Sequence, residues 1–174
     1  VGFINGKFYM KTYICKIATL DEMEIKWNYE IKKHKSLNWK LWKTEAIERF
    51  KNGQCIVYYG LLNGNIVSEA TAMLDKNIVQ NSDELVNDKT VYLCAFRTVE
   101  KFQNKGYFSK LFIFMINDLK KRGFEKVTLG VEHTENKNLR IYNHLGFEKY
   151  IKSGLETYPD NTVIKVDYYE KSLK

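Results

Sequence analysis

Apolar positions from Tyr107 onward return at Phe108, Leu111, Phe112, Met115 and Leu119, offsets that wind them onto one face of a helix. Gly123 ends the pattern directly after Lys120-Lys121-Arg122, whose charges suit the negative end of the helix dipole. Beyond it the period changes to two, with Val127, Leu129 and Val131 alternating with Lys126, Thr128 and Gly130, which predicts a strand over 126–131. A strand over 90–97 precedes the helix, so the three elements predict a right-handed parallel crossover.

The rest of the chain follows the same two periods. Residues 11–18 alternate loosely, with Tyr13, Cys15 and Ile17 on one side, and read as a first strand. Asp21 reads as a helix N-cap, with Glu24 three residues on completing a capping box and Met23, Trp27 and Ile31 sharing a face. A second helix is predicted over 41–50, where Leu41, Ala46, Ile47 and Phe50 form the stripe and Gly53 the stop. Residues 54–62 and 66–74 are extended runs joined by Asn63-Gly64-Asn65, residues that accept the positive φ of a tight hairpin. The polar stretch 75–89 reads as a loop. A last helix over 136–145 ends at Gly146, and strands over 147–153 and 162–169, with Pro159 and Asp160 in the turn between them, close the chain.

Length and composition narrow the class. A chain of 174 residues buries one good core and is too short for two domains, so residues 10–174 read as a single α+β domain. Val1 to Tyr9 lack the order of a secretory signal, and Met10-Lys11-Thr12 resembles a start, so residues 1–9 read as a vector-derived remnant or an N-terminal extension. No apolar run approaches the roughly 20 residues of a membrane span, and Cys15, Cys55 and Cys94 lack CxxC spacing, as expected of reduced thiols in a cytoplasmic protein. His34, His133 and His144 lack HExxH or other ligand spacing, so no metal is expected. The net charge of +7 favours an anionic ligand without naming it. Its densest run, Lys32-Lys33-His34-Lys35, carries no nucleic-acid signature and reads as a solvated face; a nucleic-acid partner is not expected.

Candidate chemistry concentrates at two segments. Between strand and helix, the amides of Asn104, Lys105, Gly106, Tyr107 and Phe108 could converge on a phosphate, with Lys105 and Lys110 at the rim. The competing interpretation is an ordinary glycine turn, and neither GxxxxGK[ST] nor GxGxxG is present. Order and spacing add to it. The turn resembles the Gln/Arg-x-x-Gly-x-Gly/Ala signature of the GNAT superfamily of acyl-CoA-dependent N-acyltransferases, with Gln103 and Gly106 in place and Phe108 standing where a small residue is usual. Downstream, Ile141-Tyr142-Asn143-His144-Leu145-Gly146-Phe147 is similar to the family's Leu-Tyr-x-x-Leu-Gly-Phe segment. The Asn often found seven residues before that Tyr is replaced by Glu135, with Asn136 beside it.

The resemblance implies a central mixed, mostly antiparallel sheet of about seven strands, its parallel fourth and fifth strands splayed apart, flanked by about four helices. It implies acetyl-CoA as cofactor, with the backbone of Phe96, Arg97 and Thr98 pairing the pantetheine arm and residues Gln103, Asn104, Lys105, Gly106, Tyr107, Phe108 and Ser109 around the pyrophosphate. It also implies Tyr142 as general acid to the thiolate. For the base there are two candidate carboxylates, Glu132 at the end of the fifth strand and Glu69 in the hairpin, each more commonly a solvated group. The expected activity is transfer of an acetyl group to a primary amine of a small molecule or peptide, by a monomer or homodimer. The rival is a non-catalytic acyl-CoA sensor. Trp27, Trp39, Trp42, Tyr58 and Tyr59 are candidates for an acceptor pocket, although aromatic residues so spaced are more often packing. Cys94 sits mid-strand and reads as core rather than nucleophile.

Overall fold

The computed structural model describes residues 2–4, 7–9 and 11–174. Gly2–Ile4 and Lys7–Tyr9 pair antiparallel as a separate two-stranded ribbon, while Met10, where the sequence suggests a start, lies outside the described residues. The main sheet has strands β1 (Tyr13–Ile17), β2 (Cys55–Leu62), β3 (Asn65–Met73), β4 (Thr90–Thr98), β5 (Lys126–Glu132), β6 (Lys149–Thr157) and β7 (Val163–Ser172). Their spatial order is β1-β2-β3-β4-β5-β7-β6, and β4 and β5 are the parallel pair. Helices α1 (Leu20–Lys33) and α2 (Leu37–Lys51) lie between β1 and β2, α3 (Tyr107–Lys121) forms the β4–β5 crossover, and α4 (Asn136–His144) follows β5.

Each face of the sheet holds its own core. Leu111, Phe112, Met115 and Leu119 of α3 pack with Ile56, Tyr58, Val91, Leu93, Val127 and Leu129, the helical stripe meeting one side of the alternating strands. Met23 and Trp27 of α1 pack with Val57, Tyr59 and Leu61 on the opposite side. Because both faces are covered, every residue of β2 is buried, which explains its near-continuous apolar run.

Boundaries move where local chemistry offered two solutions. α1 begins at Thr19 rather than Asp21: the Thr19 hydroxyl accepts from the Glu22 amide and the Glu22 carboxylate from the Thr19 amide, a capping box two residues earlier than expected. Lys16 adds an ion pair to Glu22 at 2.7 Å, which fixes that choice. α2 starts at its Ser36 cap, a turn before its apolar stripe. The hairpin turn is Asn63-Gly64, with φ of 50° and 81°. The segment between β3 and β4 is polar but anchored: Leu85 is fully buried, its carbonyl accepts from Thr128 Oγ1 at 2.8 Å, and Gln80 and Asn81 bond the backbone of β6 at Thr157 and Leu155.

Two tyrosines from the sheet pin α3. Tyr13 Oη donates to the Tyr107 carbonyl at 2.7 Å and lies 2.8 Å from Ser68 Oγ, while Tyr58 Oη donates to Asp118 Oδ2 at 2.7 Å near the other end. The first contact passes over Gly60, where a Cβ would sit 2.0 Å from Tyr13 Oη and 2.3 Å from Ser68 Oγ. Gly60→Ala is therefore expected to displace Tyr13 and lower stability by about 1–3 kcal/mol. Urea denaturation checks this, and an unchanged midpoint would show that Tyr13 is not held as described.

Candidate active site

A single extra residue opens the sheet. Across β3 and β4, Thr71 faces Cys94 and Glu69 faces Arg97, two residues apart on one strand and three on the other, and Ala95 is the insertion at φ 55°. The bulge reverses which way the following side chains point. Leu93 and Phe96 both face α3, while Cys94 and Arg97 both face the side of α1 and α2. The β4–β5 ladder ends at Leu93 opposite Leu129, so beyond it the facing edges of β4 and β5 carry no ladder partners. At the base of this fork Gly130 leaves room for Tyr92, whose hydroxyl would lie 2.8 Å from a Cβ there.

Beside the fork lies the loop that the sequence offers as an anion site. Gly106 adopts φ 77° as the cap of α3 and supplies no side-chain bond to the helix. The amides of Asn104, Lys105, Gly106, Tyr107, Phe108 and Ser109 have no acceptor among the described residues. These unpaired donors coincide with the positive end of a helix dipole. Gln103 Nε2 donates to the Thr98 carbonyl at 3.1 Å, tying the loop to β4, and Lys105 Nζ donates to the Lys101 carbonyl at 2.9 Å. Phe108 does not cover the amides. Its ring centroid is 5.1 Å from that of Phe96, in the α3 core, so the departure from a small residue leaves the loop open.

The expected catalytic side chains separate. Tyr142 of α4 packs edge-on to Phe96, ring centroids 5.8 Å apart, and its hydroxyl has no partner among the described residues. Burial raises its pKa, with the charge of Glu135 adding to the effect, so the phenol stays protonated at neutral pH. Glu132 is exposed at the end of β5. Glu69 is no free carboxylate: it is 5% exposed, Oε2 lies 2.7 Å from Lys26 Nζ, and Oε1 accepts from Arg97 Nε. Both cations also sit over indoles, Lys26 Nζ 3.8 Å from the Trp27 ring and Arg97 4.7 Å from the Trp39 ring. Both of its oxygens are thus taken up by cations, which ties Glu69 to the wall between α1 and β4.

Next to that cluster is a hollow of about 580 Å³ between the sheet, α1, α2 and the end of β6. Trp27, Trp42 and Tyr59 line it as expected of an acceptor pocket. Tyr58 does not, because adjacent strand residues point to opposite faces, and Trp39 lies instead against His34, ring centroids 4.1 Å apart. Cys94 and Cys55 also line it, but burial pushes their thiols up to about 12 and about 11, which removes thiolate nucleophiles. Nothing in the sequence singles out Glu156. Its Oε1 accepts from Tyr168 Oη at 2.8 Å, and burial pushes its carboxyl above the usual range, opposed by the hydroxyls of Tyr168 and Tyr92. The only available signal was its inward phase on β6, in a strand predicted to end at Ser153. Among the described residues no group of acidic, His and Cys side chains could hold a metal, and no helix is long and apolar enough to cross a membrane.

Comparison with known proteins agrees with this fold. Residues 17–147 match the Acetyltransferase (GNAT) family. A search of curated proteins finds no match. Among solved structures, an N-acetyltransferase from Staphylococcus aureus Mu50 superposes with a TM-score of 0.67 at 13% identity, covering 94% of this chain and 99% of that one. An acetyltransferase of the GNAT family from Streptococcus pneumoniae gives 0.66 at 13% identity, covering 94% and 100%. A structure from Salmonella typhimurium with its cofactor acetyl-CoA gives 0.64 at 14% identity, covering 93% and 94%. At these identities the likeness is one of fold.

The ion cluster makes a double-substitution prediction. Glu69→Leu strands the buried Lys26 ammonium and should cost about 3–5 kcal/mol of stability. Adding Lys26→Met removes the stranded charge and should recover most of that loss. Chemical denaturation of the single and double variants measures both, and a double variant no more stable than the single one would contradict the pairing.

Proposed function

The chain belongs to the acetyltransferase (GNAT) family, with acetyl-CoA as its cofactor, and on that premise we propose that it is an N-acetyltransferase acting on a primary amine by direct attack on the thioester. The observation that carries this reading is the juxtaposition of the unaccepted amides of residues 104–109 with the unpaired β4 edge at the fork. One set of donors suits a pyrophosphate, and the other suits the amide groups of an extended arm. We place the protein in the cytosol and its acceptor among small-molecule or peptide amines.

In this assignment residues 103–109 hold the anion, and the backbone of Phe96, Arg97 and Thr98 holds the arm. When bound, acetyl-CoA supplies an acetyl thioester with an electrophilic carbonyl carbon and a thiol leaving group. Backbone donors already fixed along β4 cost no reorganisation when charge develops on the carbonyl oxygen. Tyr142, neutral and without a competing partner, donates its hydroxyl proton to the departing sulfur. The acceptor ammonium loses two protons over the reaction, one before attack and one as the amide forms. One restores the Tyr142 hydroxyl and the other leaves to solvent.

Isothermal titration should show acetyl-CoA binding, and absence of heat at millimolar ligand would overturn the assignment. Tyr142→Phe should leave the Kd for acetyl-CoA nearly unchanged and lower turnover by about 10²–10⁴ fold. An unchanged turnover number removes the role given to Tyr142. Binding by the wild type without thiol release across a panel of amines would favour the non-catalytic sensor.

A further inference from the structure

The hollow beside α2 contains three carboxylates, and two already have cations. Glu69 is held by Lys26 and Arg97, and Glu45 lies 3.4 Å from Arg49 Nη2. Glu156 has no cationic partner among the described residues, only the hydroxyl of Tyr168 at 2.8 Å, with Tyr92 lining the same hollow. A partly buried carboxylate so placed gains most from a cation brought by a ligand. Tyr92 reaches Gly130 at the base of the fork, where a Cβ would lie 2.8 Å from its hydroxyl, and Ala95, the bulge residue, lines the same hollow. The unpaired carboxylate therefore lies where the hollow meets the open strands.

The walls describe the remainder of the ligand. Trp27, Trp42, Tyr59, Tyr92 and Tyr158 surround the space, with Met23 and Met73 behind them. Such walls reward a flat apolar body, and a volume of about 580 Å³ is that of a small-molecule site. A separate hollow of about 1070 Å³ lies between α1 and the β2–β3 turn, and both hollows are lined by Glu69 and Arg97. The ion pair lies where the two hollows adjoin.

Resting on the transfer reading above, we propose that this hollow is the acceptor site and takes a compact arylalkyl primary amine, its ammonium seated on Glu156. Glu156 accepts one ammonium proton, leaving the neutral amine that attacks the thioester carbon while the carbon–sulfur bond breaks. Phenethylamine, tryptamine, spermidine and triglycine, compared by thiol release at saturating acetyl-CoA, separate the possible acceptor classes. Phenethylamine and tryptamine should exceed the other two in kcat/KM by about tenfold or more. Glu156→Gln should lower kcat/KM for phenethylamine about thirtyfold or more and abolish its calorimetric binding to the free protein, with the Kd for acetyl-CoA unchanged. Glu156→Asp should recover part of both. Equal or better use of spermidine or triglycine, or a Gln variant indistinguishable from wild type, overturns this inference while leaving acetyl transfer intact. Transfer to none of the four amines despite acetyl-CoA binding overturns the transfer reading and this one together. If the Gln variant does not fold, the amine ranking and phenethylamine calorimetry on the wild type decide.

Discussion

The left-handed backbone at Ala95 is the constraint from which the site follows. A non-glycine residue in that region costs about 1–2 kcal/mol. What offsets it is visible on both faces. Phe96 reaches the rings of Phe108, Phe112 and Tyr142, and Arg97 reaches Glu69. Without the inserted residue each would point the other way, putting a guanidinium among phenylalanines and a phenyl ring beside a buried carboxylate. The same insertion lies where β4 leaves β5. Opening the sheet and placing charge on the acceptor side are thus one event in the backbone.

Electrostatics on that side are arranged by completeness rather than by number. Lys26, Glu69 and Arg97 satisfy one another, and the indoles of Trp27 and Trp39 hold the cations flat against the wall. Burial still pulls the Lys26 ammonium below the usual lysine range, opposed by Glu69 and reinforced by Arg97. Glu156 is different in kind: its partners are neutral hydroxyls, which stabilise a carboxylate without discharging it. A wall of paired ions beside one unpaired carboxylate gives the hollow a direction for a cation.

Much of the fold was legible because period and punctuation agreed. The α3 stripe, the Asn63-Gly64 hairpin and the parallel crossover lie where apolar spacing and glycines put them. The conformation of the turn at residues 103–109 was legible because its chemistry is local, a glycine and consecutive amides at a helix start. The acceptor side was not, because it depends on phase and long range. The bulge at Ala95 leaves no mark in residue type, and it alone brings Arg97 to Glu69, 28 residues away. Glu156 stands out only beside Tyr92 and Tyr168, from strands on either side of β5. The Thr19 cap is hidden for a simpler reason, since Thr19-Glu22 and Asp21-Glu24 both spell a box, and what separates them is the pairing of Glu22 with Lys16 and of Glu24 with Lys43.

Tyr13 stands on the outermost strand, yet its hydroxyl holds the carbonyl of Tyr107, the first helical residue after the anion loop. By thermodynamic reciprocity, an anion that orders the loop must tighten the far edge of the sheet by the same free energy that Tyr13 lends to the loop. The margin of the sheet is therefore a second readout of cofactor occupancy. Slowed amide exchange in β1 would report an anion on the loop through the bond between Tyr13 and Tyr107.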